Sequence, residues 1–212
     1  MQFQRPLPLS LEAHYSFDCF YGVDHVEALN LLQAMAQGQG AMPIFLHGLH
    51  GSGKSHLLNA TCALAGEFGK HAMALSFKDL PLEDPQALDG LDDLDLLCLD
   101  DLQVIAGQSS WEDALFGLFN ALQDRGSRLI VAATSPPAAL PFSLEDLRSR
   151  LSSGPVIALK PLSEEASVQA LIMKASAKGM ILNEAVSRYL IKRVNRDLAS
   201  LIEWLERIEE AS

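Results

Sequence analysis

Apolar positions along this chain follow two periods. Five short runs have the composition of buried strands: Ile44-Phe45-Leu46, Ala72 to Phe77, Leu94 to Leu99, Leu129 to Ala133 and Val156 to Leu159. Between them, apolar residues recur at helical spacing. Val26, Leu29, Leu32 and Met35 predict the buried side of a helix that Asp24 caps and Gly38-Gln39-Gly40 ends near Gln37. Ser55 to Phe68 reads as a second helix, with Leu57, Leu58, Cys62 and Leu64-Ala65 inward. Trp111 to Arg125 carries the stripe Trp111, Leu115, Leu118, Phe119 and Leu122, and Leu144 to Leu151 makes a short helix. Leu80 to Leu91, rich in proline and acid, reads as a loop with one short helix. Strands alternating with helices predict an α/β fold, a mostly parallel five-stranded sheet flanked by helices. Past Pro161 strand composition ends. Helices are predicted from Ser163 to about Lys178, from Asn183 through Arg193, and from Arg196 onward with Leu198, Leu201, Ile202, Leu205 and Ile208 as one side. The expected division is an extended segment over 1–12, an α/β domain over 13–161 and a small helical lid over 162–212.

The chemistry concentrates after the first strand. Gly48-Leu49-His50-Gly51-Ser52-Gly53-Lys54-Ser55 fits the phosphate-loop pattern, and it stands between a strand and a helix as that pattern requires. Gly48, Gly51 and Gly53 allow the backbone to turn tightly and approach an anion. Loop N–H groups at a helix start, from Ser52 through His56, make a concave anion site. Lys54 supplies a charge for β- and γ-phosphates, and the Ser55 hydroxyl a ligand for Mg²⁺. The apolar run Leu94 to Leu99 ends in Asp100-Asp101, placed to hold Mg²⁺ and to orient an attacking water respectively. Thr134, at the tip of another strand, either touches a γ-phosphate or its water, or forms a turn. Phe20 and Tyr21, ahead of the loop, flank an adenine base or anchor the core. Arg150 reaches a neighbouring subunit's nucleotide, or pairs on the surface with Glu145 or Asp146.

Composition narrows the partners. Among 212 residues, 49% are hydrophobic and 20% charged, as in an ordinary globular protein, but the net charge is −11. That balance, without a Lys/Arg block, argues against a dedicated duplex-binding module. Cys19, Cys62 and Cys98 share no metal or redox spacing, and Cys62 and Cys98, inside apolar runs, read as buried thiols, which suits a reducing cytosol. No run is apolar and long enough to span a bilayer, so no membrane role is expected and a cytoplasmic location is. Gln4-Arg5-Pro6-Leu7-Pro8-Leu9 is extended by its prolines, with leucines two apart facing one way. It is either an apolar plug for a partner's pocket or a plain chain end.

Together these motifs resemble the AAA+ ATPases and, within them, the DnaA family. Gly48–Ser55 is similar to the first nucleotide motif and Asp100-Asp101 to the second. Thr134-Ser135-Pro136-Pro137 is similar to sensor 1, Ser149-Arg150-Leu151 to the arginine-finger box, and Asn195-Arg196-Asp197-Leu198 to sensor 2. Gln4-x-x-Leu7-x-Leu9 resembles the peptide that docks on the β sliding clamp. A clamp peptide on a lone DnaA-like module, with Leu88-Asp89-Gly90-Leu91, Ile105-Ala106-Gly107 and Trp111-Glu112, is similar to the Hda group of regulators. DnaA's basic helix-turn-helix has no counterpart here, in keeping with the acidic charge. The resemblance implies binding of ADP or ATP with Mg²⁺, with Arg196 sensing the nucleotide from the lid. It implies DnaA and the β clamp (the β subunit of DNA polymerase III) as partners, DNA only through the clamp, and a nucleotide-dependent homodimer. Arg150 would stimulate hydrolysis in DnaA and prevent re-initiation, with weak or no turnover by the chain itself. The alternative is an autonomous DnaA-related ATPase acting as a helicase loader or assembly factor.

Overall fold

The computed structural model describes residues 15–17, 20, 25–161, 163–177 and 180–193. Gln4, Leu7, Leu9, Cys19, Tyr21, Asp24, Arg196 and the predicted third lid helix lie outside them. Five strands form one parallel sheet: β1 (Ile44–His47), β2 (Ala72–Ser76), β3 (Leu96–Asp100), β4 (Arg128–Ala133) and β5 (Val156–Ala158). Their spatial order is β2-β3-β4-β1-β5. Helices α1 (Val26–Ala36), α2 (Lys54–Glu67), α3 (Ser109–Arg125) and α4 (Glu145–Leu151) connect and cover them.

Alternation along each strand sorts the core into two layers. Phe45, Leu97, Leu99, Leu129 and Val131 face Trp111, Leu115, Phe119 and Leu122 of α3. Ile44, Leu46, Leu96, Cys98, Ile130 and Ala132 face Leu57, Leu58 and Cys62 of α2, with Leu32 and Met35 of α1. With both faces covered, these strands read as continuous apolar runs. Cys62 and Cys98 are buried as expected, and burial pushes the Cys98 thiol well above its ordinary range. Trp111 anchors one layer, donating its indole N–H to the Leu82 carbonyl at 2.8 Å and meeting Phe77 edge-on at 5.7 Å.

Three expectations are corrected. Val26 is 58% exposed, and the buried stripe of α1 is Ala28, Leu32, Met35 and Ala36. Leu32 and Met35 are inward as expected and Leu29 packs against the same cluster, so the inward face is shifted toward Ala28 and Ala36 and only Val26 falls off it. The acid strand starts at Leu96, because the Asp95 carboxylate accepts the His71 N–H at 2.9 Å and turns the chain there. The loop after β2 holds two short 3-10 turns, Pro85–Leu88 and Leu91–Asp93, where one helix was expected.

Beyond the sheet, α5 (Glu164–Ala177) and α6 (Glu184–Arg193) share an apolar cluster of Val168, Leu171, Ala175 and Ile191. Both predicted starts are capped: Ser163 Oγ accepts the Ala166 N–H at 3.1 Å and Asn183 Oδ1 that of Val186 at 2.8 Å. Among the described residues no helix is long and apolar enough to cross a membrane.

Candidate functional site

In a parallel sheet every strand ends at the same edge. The register pairs His47 with Ala133 and Leu99 with Val131, so the ends of β1, β3 and β4 open side by side. The chain leaves β1 into the glycine loop and enters α2 at Lys54. A Cβ at Gly48 would stand 2.3 Å from the Leu159 carbonyl oxygen. Gly53, with φ of 87°, would put one 2.5 Å from the Phe20 ring. Both positions require glycine, because the backbone of the loop, which curls into a cradle, runs too close to Leu159 and Phe20 to admit a side chain. Inside it Lys54 is only 8% exposed, its ammonium donating to the carbonyls of Gly48 at 2.8 Å and Leu49 at 3.0 Å. Burial lowers its pKa below the ordinary value, against the opposing pull of Asp100 and Asp101. Ser52 is fully buried in the turn.

Across the cradle, Ser55 Oγ donates to Asp100 Oδ2 at 2.5 Å, while Asp100 Oδ1 accepts the Asp101 N–H at 2.7 Å. Burial pushes the Asp100 carboxyl up, and the Ser55 bond partly offsets this. One hydroxyl with one buried carboxylate suits a hard dication that keeps several waters and takes its other ligands from phosphate, as Mg²⁺ does. The residues present therefore fit a magnesium nucleotide.

Asp101 behaves differently. It has φ of 57°, and three side chains surround its carboxylate. Lys78 Nζ and Gln103 Nε2 each donate to Oδ1 at 2.8 Å, and Ser76 Oγ donates to Oδ2 at 3.2 Å. Burial alone would raise this carboxyl, but these donors outweigh it and hold it below its usual value. Gln103 Oε1 also accepts the Thr134 N–H at 3.1 Å. One amide therefore ties the second acid to the tip of β4. Neither Gln103, Ser76 nor Lys78 was singled out from the sequence. The parallel pairing that sets Ser76 beside Asp100 is the signal that finds Ser76 and, two residues on, Lys78, while Gln103 follows Asp101 by two residues in the chain.

The remaining candidates are spread out. His56 stacks on Phe20 at 6.1 Å, and its Nε2 lies 2.9 Å from the Ser16 carbonyl oxygen. Phe20 thus touches the loop at Gly53 and also packs on the layer beneath α1 and α2. Arg150, on α4, shares no described contact with the cradle. Its guanidinium donates to Gln123 Oε1 at 3.1 Å and lies 5.8 Å over the Phe119 ring. The surface ion pair in this helix belongs to Arg148, 3.3 Å from Glu145.

Residues 164–212 match the family model for the Hda lid domain, and residues 82–158 that for the bacterial DnaA ATPase domain. Among solved structures, the chain is similar to domain III of the Thermotoga maritima replication initiation protein DnaA, 24% identical with a TM-score of 0.76, covering 91% of this chain and 86% of that one. AMPPCP-bound DnaA from Aquifex aeolicus is 25% identical with a TM-score of 0.71, covering 92% of this chain and 64% of that one. The Thermotoga maritima RuvB Holliday junction branch migration motor, 21% identical with a TM-score of 0.63 over 92% of this chain and 64% of its own, shares the fold. The chain spans 66% of a replication initiator DnaA bound to AMPPCP and single-stranded DNA, just under two thirds.

Proposed function

We propose that the chain, a member of the DnaA family of AAA+ proteins close to Hda, is a regulatory module acting on DnaA. Residues 1–12 form its clamp-docking peptide, 13–161 its nucleotide-binding domain and 162–212 its lid. Gly48 to His56 hold the phosphates of ADP or ATP, with Phe20 and Tyr21 near the base and Arg196 reading the nucleotide from the lid. Ser55 and Asp100 ligate Mg²⁺, which when bound neutralises phosphate charge. Gln4, Leu7 and Leu9 dock on the β sliding clamp, and DNA is met only through it.

The observation that carries this reading is the setting of Arg150. It is an exposed guanidinium on a short helix, held by a neutral amide and an aromatic face, and without described contact to the chain's own cradle. Such a group is free to be offered to another molecule's ATP. There, water attacks the γ-phosphorus, the bond to the β–γ bridging oxygen breaks, and Arg150 stabilises the charge that builds on the departing ADP and the transferred group. DnaA–ATP becomes DnaA–ADP, and re-initiation is held back.

The complete loop also favours an autonomous ATPase or helicase loader. Against it stands Asp101, whose carboxylate is engaged by Lys78, Gln103 and Ser76. The test is ATP hydrolysis by DnaA with and without the chain on clamp-loaded DNA, beside turnover by the chain alone with Lys54→Ala as control. Stimulation of DnaA with little turnover alone supports the regulator. Robust turnover without DnaA supports the loader. Separately, the double variant Gln4→Ala/Leu7→Ala is expected to weaken clamp binding at least about tenfold by surface plasmon resonance, since losing one buried leucine side chain costs about 1.5–3 kcal/mol. Unchanged clamp affinity would remove the peptide from the scheme.

A further inference from the structure

We propose that Glu112 is a positioning residue for Arg150, a role that rests on the reading of Arg150 given above. Glu112 lies in the first turn of α3 and is fully buried. A carboxylate withdrawn from water is costly unless its oxygens are saturated with donors. Here the donors are all backbone. Oε1 accepts the Gly107 N–H at 2.6 Å and lies 3.2 Å from the Ser143 nitrogen. Oε2 accepts the N–H groups of Ser143 at 2.9 Å and Leu144 at 2.7 Å.

Those partners belong to two loops. Gly107 ends the connection that leaves the acid pair, and Ser143-Leu144 is the entrance to α4. Leu144 occupies the capping position of α4 but offers no side-chain bond. An apolar residue there leaves the helix entrance without a local acceptor. Glu112 acts one step earlier, from another element, taking the N–H of Leu144 itself and of Ser143 before it. Leu147 and Leu151 fix which side of α4 faces the core, but apolar contacts are non-directional and leave its position along the axis loosely set. Directional bonds to Ser143 and Leu144 set it.

The far end of α4 is referred to the same ruler. Arg150 rests on Phe119 and Gln123, which follow Glu112 by seven and eleven residues and so share its face of α3. One stripe of α3 therefore holds α4 at its entrance by a carboxylate and at its arginine by an amide and a ring. Sliding α4 by about 1 Å would misplace the guanidinium enough to cost on the order of 10²-fold in rate.

The experiment compares wild type, Glu112→Gln, Glu112→Asp and Arg150→Ala as activators of DnaA hydrolysis on clamp-loaded DNA. It is run at a temperature where near-ultraviolet circular dichroism shows each variant folded. In Glu112→Gln an amide replaces one acceptor by a donor facing N–H groups. Its saturating stimulation is expected to fall by about 10- to 100-fold, while the concentration for half-maximal stimulation and the chain's own nucleotide affinity change less than about twofold. Glu112→Asp, which keeps the charge but shortens the reach, is expected to lose rate in the same way. A merely structural role would lower folded fraction and nucleotide affinity together, and would leave the saturating rate per folded molecule intact. Full stimulation by folded Glu112→Gln overturns the proposal. Arg150→Ala stimulating like wild type overturns the reading of Arg150 itself, which is a distinct result. Should both Glu112 variants fail to fold, amide exchange in the wild type decides. Slow exchange at Gly107, Ser143 and Leu144 upholds the clamp, and exchange at unprotected rates at Ser143 and Leu144 overturns it.

Discussion

Arg150→Ala is expected to lose about 10³-fold or more of the stimulation of DnaA hydrolysis, the range in which an arginine supplied in trans acts on phosphoryl transfer. The fold should barely register the change. Arg150 gives up one bond to Gln123 and a cation–π contact with Phe119, together about 1 kcal/mol at an exposed site. Arg150→Lys should not rescue the rate, because an ammonium cannot present the planar fork that grips two phosphate oxygens. The check is conversion of labelled ATP to ADP on DnaA, with clamp binding measured in parallel. A variant that binds the clamp and stimulates fully would end Arg150's role.

Lys54→Ala is expected to weaken binding of ADP and ATP, measured by calorimetry with Mg²⁺, by on the order of 10²-fold or more. Removing one partner of a buried charge pair costs about 2–5 kcal/mol. The reason lies in its surroundings. The ammonium is buried in the cradle against the carbonyls of Gly48 and Leu49, and burial already holds its pKa down. An arriving phosphate offers that charge a better partner than neutral carbonyls do. Affinity in the variant within about threefold of wild type would mean that the lysine is a structural plug for the loop and no phosphate ligand, since such a loss is well under 1 kcal/mol.

What could be read from the sequence was local. The strand, glycine loop and helix from Ile44 to Glu67 are contiguous, so their order alone locates the cradle. The stripe of α3 is carried by large residues, and its phase came out correctly at Trp111, Leu115, Leu118, Phe119 and Leu122. In α1 the inward face includes alanines, and size misled the reading toward Val26. The surroundings of Asp101 were hidden for another reason. Ser76, Lys78 and Gln103 meet it only after β2 pairs with β3 and the chain turns. Glu112 stood in the sequence only as part of the Trp111-Glu112 resemblance, and its bonding was hidden, because its partners are backbone N–H groups up to 32 residues away and carry no residue signature. Arg196, Tyr21 and the Gln4–Leu9 peptide fall outside the described residues.

The left-handed backbone at Asp101 restricts which amino acids that position can take. Asparagine and glycine visit this conformation readily, and other side chains do so at a cost of roughly 1–2 kcal/mol. A saturation library sorted for folding alone should therefore return aspartate, asparagine and glycine there, while the homologous acid, glutamate, is depleted. Charge and chain geometry can thus be uncoupled at one codon: asparagine would mute the acid and leave the turn as it is.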